Sequence, residues 1–145
     1  LHIVPPMTPP EVLTKTPGLS ENAAPGYVTV DRTTLRHTKF PNIFSLGDCS
    51  NLPTSKTAAA IASETPVLVD NLLDVMNGGA GKVAQYDGYT SCPLITGKTK
   101  GILAEFDYDL KPRETLPFNQ ATERWIFGYI KRFILPPLYW DGLLR

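Results

Sequence analysis

The sequence predicts an α/β fold, and three observations carry that prediction. Short apolar runs rich in β-branched and aromatic residues recur along the chain. A single long helical pattern opens on small residues and closes on Asn77-Gly78-Gly79. A second helical pattern near the end carries an aromatic and isoleucine face. In chain order, the first expected strand is Leu1-His2-Ile3-Val4, stopped by Pro5 and Pro6. Residues 5–26 hold six prolines and two glycines, which predicts an irregular loop with at most a turn of helix at residues 11–13. Alternation predicts strands at residues 27–30 and 42–46, the second ended by Gly47-Asp48. The long helix is expected from Ser55 or Lys56 to Met76, with Pro66 kinking or splitting it. Residues 86–93 read as extended or looped, and 101–108 as a strand. A polar, proline-bearing loop leads to a last helix expected over 121–135 and stopped by Pro136-Pro137.

Composition narrows the function classes. Fourteen basic and fourteen acidic residues cancel in a chain of 145, which excludes nucleic-acid binding by bulk charge. Two cysteines are too few for a disulfide-stapled scaffold, and no closely spaced Cys/His set suggests a metal. No apolar run approaches the roughly 20 residues of a membrane span. The elements form no complete βαβ succession, and the proline-rich loop is too long to stand alone. Together with a start at Leu1, this predicts a piece of a larger sheet-containing enzyme. It divides as 1–84, 85–118 and 119–145, with no targeting segment of its own.

The strongest local signal is Phe40-Pro-Asn-Ile-Phe-Ser-Leu-Gly-Asp48, followed by Cys49-Ser-Asn-Leu-Pro-Thr-Ser-Lys56-Thr-Ala-Ala-Ala60. Gly47 at a strand end allows close approach of a ligand. Asp48 then presents a carboxylate able to accept hydrogen bonds from sugar-type hydroxyls. The helix that begins eight residues later offers free N–H groups and a positive end to an anion or carbonyl oxygen, and Lys56 adds a charge there. Taken alone, Asp48 reads as a turn residue and Lys56 as a solvated lysine. The apolar strand before and the alanine-rich helix after favour the ligand-contacting reading.

These residues resemble the second flavin-contacting motif of flavoproteins with two dinucleotide-binding domains. Leu1-His-Ile-Val-Pro-Pro-Met7, Gly47–Ala60 and Tyr86-Asp-Gly-Tyr-Thr-Ser-Cys-Pro-Leu94, continuing into Ile102-Leu-Ala-Glu-Phe-Asp-Tyr108, together resemble the mitochondrial sulfide:quinone oxidoreductases of eukaryotes. The resemblance implies the C-terminal part of an FAD/NAD(P)-binding Rossmann-like flavoprotein with an amphipathic C-terminal helical tail. It implies that Gly47 and Asp48 contact FAD, and that Lys56, Thr57, Ala58 and Ala59 line the isoalloxazine end. It further implies oxidation of hydrogen sulfide to a cysteine persulfide and reduction of ubiquinone. The sulfane sulfur would pass to a small acceptor such as glutathione or sulfite, at the mitochondrial inner membrane, with the protein held as a peripheral or monotopic component. Because the sequence lacks a Gly-x-Gly-x-x-Gly loop, this piece alone is expected to be inactive. Two alternatives stay open: a related flavoprotein such as a type II NADH:quinone oxidoreductase, and a non-catalytic membrane-binding module.

Cys92, in Tyr89-Thr-Ser-Cys-Pro-Leu94, reads from its neighbours as a buried, inert thiol. The resemblance reverses that and makes Cys92 the catalytic cysteine, one of a redox pair beside the flavin whose other member lies upstream of this sequence. Sulfide attack on such a disulfide leaves one sulfur as a persulfide, while the other thiolate passes two electrons on. A reactive thiolate needs a positive or dipolar neighbour, for which Lys56 and the helix N-terminus are candidates. Cys49 reads as a packing residue near the flavin. His2 is expected in the core and His37 in solvent, and neither has a role.

In the tail, Trp125, Tyr129 and Phe133 repeat at i, i+4, i+8, with Ile126, Ile130 and Ile134 one residue behind. These six form one apolar face, opposite Arg124, Gly128, Lys131 and Arg132. Such a helix can pack its stripe on a protein core or lie in a membrane interface. The further cluster Leu138-Tyr139-Trp140 and the three basic residues favour a membrane surface.

Overall fold

The structure is a computed structural model that describes residues 3–20 and 26–144. The chain divides into two compact units, Leu1–Gly88 and Tyr89–Arg145.

The first unit is built on a helix and a set of single β-bridges. Helix α1 (Glu11–Lys15) is a short turn within the proline-rich loop. Helix α2 (Ala58–Met76) runs 19 residues. It starts two to three residues later than the sequence suggested, because Thr57 keeps an extended backbone and its hydroxyl accepts from the amide of Ala60. Pro66 lies inside α2 without dividing it, so the expected split does not occur. The expected strands at 27–30 and 42–46 appear only as isolated bridges: Val28 with Ser50, Val30 with His37, and Arg36 with Phe44. Intervening turns take the backbone elsewhere. Leu35, fully buried, adopts φ 61°, and Asp31 folds residues 31–34 around its carboxylate. Hydrogen bonds from Thr33 and Thr34 outweigh burial there and bring the Asp31 carboxyl down to about 2. Of the first expected strand, Leu1 and His2 lie outside the described residues. Ile3 and Val4 are exposed with no strand pairing.

Two buried polar side chains hold this unit's loops. Asn71 on α2 donates to the carbonyls of Thr34 and Ala84 and accepts from the amide of Ala84, each at 3.0 Å. His37 is buried rather than solvated. Its Nδ1 accepts from the amides of Lys39 and Phe40, and its Nε2 lies 3.2 Å from the carbonyl of Leu19.

The second unit opens with an antiparallel hairpin of β1 (Thr90–Ile95) and β2 (Gly101–Phe106). Pro93 sits inside β1 opposite Leu103. The Leu103 amide points away from β1 to the carbonyl of Gln120, so Pro93 occupies a non-hydrogen-bonded pair and its missing N–H costs no ladder bond. Glu105 is the polar centre of this unit. Its buried carboxylate accepts from the Tyr89 hydroxyl, the Thr115 amide and hydroxyl, and the Gln120 amide group. Burial alone would raise the Glu105 carboxyl; the donors of Gln120, Tyr89 and Thr115 outweigh it and hold it below the usual range.

Helix α3 (Trp125–Tyr129) begins four residues later than expected, because Arg124 is held extended by mutual hydrogen bonds with Gly101. Helical backbone then continues through a π-helical turn (Ile130–Ile134), helix α4 (Leu135–Pro137) and a second π-helical turn (Leu138–Leu143). Pro136-Pro137 therefore does not end the helix. Both prolines fall in the first turn of α4, where a missing N–H is tolerated. Packing also differs from the expected faces. Phe127 and Gly128 are buried, and a Cβ at Gly128 would strike the carbonyl of Thr99. Trp125, Tyr129, Phe133 and Ile134 stay exposed, with Tyr129 stacked between Trp125 and Phe133 at 6.3 and 5.1 Å between ring centroids. Gly128 thus belongs to the packed face and not to a solvent face.

Asn71→Ala is expected to lower the stability of the protein to urea by about 2–3 kcal/mol, since it leaves one buried and two half-buried backbone groups without their partner. A loss below 0.5 kcal/mol would show that the loop does not depend on this side chain.

Candidate functional site

The strand-to-helix junction of the first unit gathers Gly47, Asp48, Lys56, Thr57, Ala58 and Ala59. The backbone arrives extended at Leu46, then turns sharply through Gly47, whose φ is 61°. That left-handed conformation strains any residue with a side chain. A Cβ here would also meet Ile61 of α2 at 3.1 Å. A single 3₁₀ turn, Gly47–Cys49, follows and ends at Ser50, which bridges back to Val28.

Gly47 is held at both of its polar groups. Its amide donates to Glu64 Oε2 at 2.8 Å. Its carbonyl accepts from the Ser50 hydroxyl at 2.9 Å and from Lys56 Nζ at 3.5 Å. Lys56 Nζ donates more closely, at 2.7 Å, to the carbonyl of Ser50, and stands 5.2 Å above the ring of Tyr27. Lys56 thus draws the turn closed with its charged end. Burial pushes its ammonium down from the ordinary lysine value, while Glu64, Asp48 and Cys49 pull it back up. Burial likewise pushes the Glu64 carboxyl up, opposed by the Gly47 amide, Lys56 and Tyr86. Tyr86, buried beside that carboxylate, is pushed up to about 12, by burial first and by Glu64 second.

At the outer side of the turn, Asp48 is exposed. Cys49 is half-buried, its Sγ 3.2 Å from both the Leu46 carbonyl and the Ser45 hydroxyl. The Thr57 hydroxyl caps α2 through Ala60, which leaves the first-turn amides of Ala58 and Ala59 without intrahelical acceptors. Their methyl side chains keep that helix end open to close approach.

Cys92 belongs to the second unit. It forms a hydrogen-bonded strand pair with Ala104, and by alternation its side chain shares a face with Thr90 and Leu94, opposite the face of Ser91 and Glu105. The thiol is half-buried, 3.9 Å from the carbonyl of Pro93. Both Cys49 and Cys92 are free thiols.

Sequence reading missed Glu64 and Tyr86, which set the electrostatics of the junction. Their signal is the inward stripe of α2, where Ala60, Glu64 and Asn71 fall on one face at helical spacing. A charged residue in a stripe of small residues implies a buried partner, here the amide of Gly47.

Comparison with known proteins follows this geometry. No protein-family model matches the chain. Across its full length the chain is 48% identical to the mitochondrial sulfide:quinone oxidoreductase of Mus musculus and 48% identical to that of Dictyostelium discoideum. It covers 31% of each. The corresponding protein of Schizosaccharomyces pombe is 45% identical over 150 aligned residues, with 32% of its length covered. A chain in the cryo-EM structure of the Tetrahymena thermophila mitochondrial ATP synthase matches with a TM-score of 0.71 at 27% identity, over 83% of this chain and 29% of that one. The turn-helix junction and the cysteine hairpin therefore lie in a chain that is similar over its full length to proteins named as oxidoreductases. More narrowly, the chain corresponds over its whole length to a C-terminal portion of the sulfide:quinone oxidoreductases. It spans about a third of the length of the curated relatives it matches.

Two outcomes test the junction. Gly47→Ala is expected to destabilise the protein by about 1–2 kcal/mol from the positive φ, measured by thermal unfolding; an unchanged melting temperature would remove the conformational argument. The raised Glu64 carboxyl binds protons more tightly folded than unfolded. Its contribution is therefore full below the ordinary value of 4.5 and is lost as pH rises through the folded value. Glu64→Gln keeps an acceptor for Gly47 and should flatten the decline of stability with pH above 4.5, which pH-dependent urea titration would read.

Proposed function

We propose that this chain supplies the flavin-contacting junction, a redox cysteine and the membrane-contacting tail of an FAD-dependent sulfide:quinone oxidoreductase. The observation that carries the proposal is the clamped turn at Gly47. It holds an exposed carboxylate, Asp48, beside a helix start with two amides that lack intrahelical acceptors. The full-length similarity to three sulfide:quinone oxidoreductases supports the same reading.

The residues present fit FAD on two structural grounds. The left-handed turn at Gly47, held from inside at its amide and its carbonyl, carries Asp48 out to the surface at the start of α2. The donors at α2 suit a carbonyl oxygen or an anion, while Asp48 suits a polyol hydroxyl. Gly47, Asp48, Thr57, Ala58 and Ala59 would hold the cofactor, with Lys56 setting the turn and lending positive potential. Bound FAD would supply a two-electron acceptor able to hand reducing equivalents to a quinone.

Cys92 then does the sulfur chemistry. In a disulfide with a second cysteine of the whole protein, its S–S bond is broken by attack of hydrosulfide. One sulfur leaves as a thiolate carrying the bond's electron pair, and the other retains the incoming sulfur as a persulfide. A small nucleophile such as glutathione or sulfite removes that sulfane sulfur. Pairing of Cys92 with Ala104 fixes the thiol's backbone, and the small alanine opposite leaves room beside Sγ.

Among the described residues no helix is long and apolar enough to cross a membrane. The tail instead exposes Trp125, Tyr129, Phe133, Leu138, Tyr139 and Trp140, which suits attachment to a membrane surface from which ubiquinone is drawn. The relatives are mitochondrial by name, and the same placement, at the inner membrane, is proposed for this protein.

The test is anaerobic addition of sulfide to the full-length protein while flavin absorbance is followed. Wild type should bleach within the mixing experiment, and Cys92→Ser should lose at least about a hundredfold in rate, as expected for loss of a covalent nucleophile. Bleaching by NADH but not by sulfide would instead assign the protein to NADH:quinone oxidoreduction. In a parallel variant, Asp48→Ala should release flavin during gel filtration; full retention would remove Asp48 from the binding site.

A further inference from the structure

We propose that the β1–β2 hairpin tip and the start of the helical tail form a binding site for the phosphate headgroup of an anionic phospholipid. This rests on, and deepens, the membrane-surface reading of the tail. The fold creates a juxtaposition that the helical pattern alone does not contain. Gly128 lets the hairpin tip lie directly on the helix, with the carbonyl of Thr99 against its Cα. Four residues on, the guanidinium of Arg132 reaches the carbonyl of Gly97, 3.4 Å away. The two lysines of the tip, Lys98 and Lys100, thereby share this end of the hairpin with Arg132, with Lys131 its neighbour in sequence, and all four are exposed.

Among the described residues, the acidic residues of this unit other than Glu123 are placed away from the tip. Asp107 and Asp109 follow β2 at the opposite end of the hairpin, roughly 17–20 Å from the tip at the usual rise per residue. Glu105 is buried at that same end, and Glu114 accepts from the amide of Gln120. Asp141 lies in the last helical turn; exposed Glu123, one position before the Arg124 that pairs with Gly101, is the acidic residue nearest the tip among the described residues and is outnumbered by its cations. Lys98, Lys100 and Arg132 thus share the tip.

Against this basic group opens a cleft of about 210 Å³ lined by Thr99, Trp125, Gly128, Tyr129, Arg132 and Phe133. One wall is aromatic and exposed, the other carries a guanidinium and a threonine. A phospholipid matches that division: its phosphate pairs with Arg132 and the tip lysines, and its glycerol and upper acyl carbons lie on Trp125, Tyr129 and Phe133. A soluble anion would use the cations and leave the rings in water. The coupling of charge to an apolar wall therefore points to a lipid surface, and to one bearing negative charge.

The experiment is co-sedimentation of the purified full-length protein with vesicles of pure phosphatidylcholine and of phosphatidylcholine with 30% (roughly a physiological anionic fraction) phosphatidylglycerol. The expected result is at least about tenfold tighter binding to the anionic vesicles, falling as salt is raised. Lys98→Gln/Lys100→Gln, which changes only exposed side chains, should lose most of that preference while keeping binding to phosphatidylcholine, and Arg132→Gln should act in the same direction. Trp125→Glu/Phe133→Glu should weaken binding to both kinds of vesicle. Equal binding of wild type to both compositions overturns this proposal and leaves the membrane reading intact. Absence of binding to either overturns both. An unchanged anionic preference in the lysine and arginine variants overturns the assigned site. So does displacement by inorganic phosphate at matched ionic strength, which would mark the cleft as a soluble-anion site.

Discussion

The amide of Gly47 meets a carboxylate and its carbonyl meets an ammonium, and much of the first unit is organised by that opposition. Glu64 and Lys56 carry opposite charges and flank α2's first two turns, so each reduces the cost of burying the other. Neither touches the other directly among the described hydrogen bonds; the turn residue lies between them. The arrangement lets a left-handed glycine persist at the mouth of a helix without a β-ladder to hold it. Lys56 extends the same constraint outward through Tyr27, whose hydroxyl donates to the carbonyl of Met7 and so ties down the proline-rich loop.

A related device organises the second unit. Glu105 collects donors from Tyr89 before the hairpin and from Thr115 and Gln120 after it. The loop between β2 and α3 forms no helix or ladder of its own and is shaped largely by Glu105, with Asp107 and Glu114 each accepting from loop amides. The two acidic groups differ in their balance. Glu64 has few donors for its degree of burial and is pushed up, whereas Glu105 has enough to be held low.

Much of this was legible beforehand, and the failures have physical causes. The long helix, the short turn at residue 11 and the strand beginning at Gly101 follow periodicity and punctuation closely. The strands expected at 27–30 and 42–46 reduce to bridges because Leu35 and the Asp31 turn spend the intervening residues on reversing direction. Propensity registers which residues favour extension, but not whether a neighbouring strand is present to complete a ladder. The tail reads correctly as helical and incorrectly in its stop, since the two prolines are accommodated where the run passes from a π-helical turn into α4. At the junction, Gly47, Asp48 and the helix start are readable from local pattern. Glu64 is not, because its partner is a backbone amide 17 positions away.

The interior also bears on how the protein responds to temperature. Among the described residues the buried apolar side chains are Val28, Val30, Leu35, Leu52, Ala60, Tyr86 and Phe127, outnumbered by buried polar ones such as Ser50, Glu64, Asn71, Thr90 and Gln120. Exposure of apolar surface raises the heat capacity on unfolding and exposure of polar surface lowers it. Buried residues of this polar mix contribute less to the heat-capacity increment than an equally large apolar core would, which flattens the stability curve of the chain. Its folded state gains little from an optimum temperature and loses little on cooling. Any partner surface that covers the exposed aromatic tail adds apolar burial and steepens that curve, so the curvature itself reports whether the tail is covered.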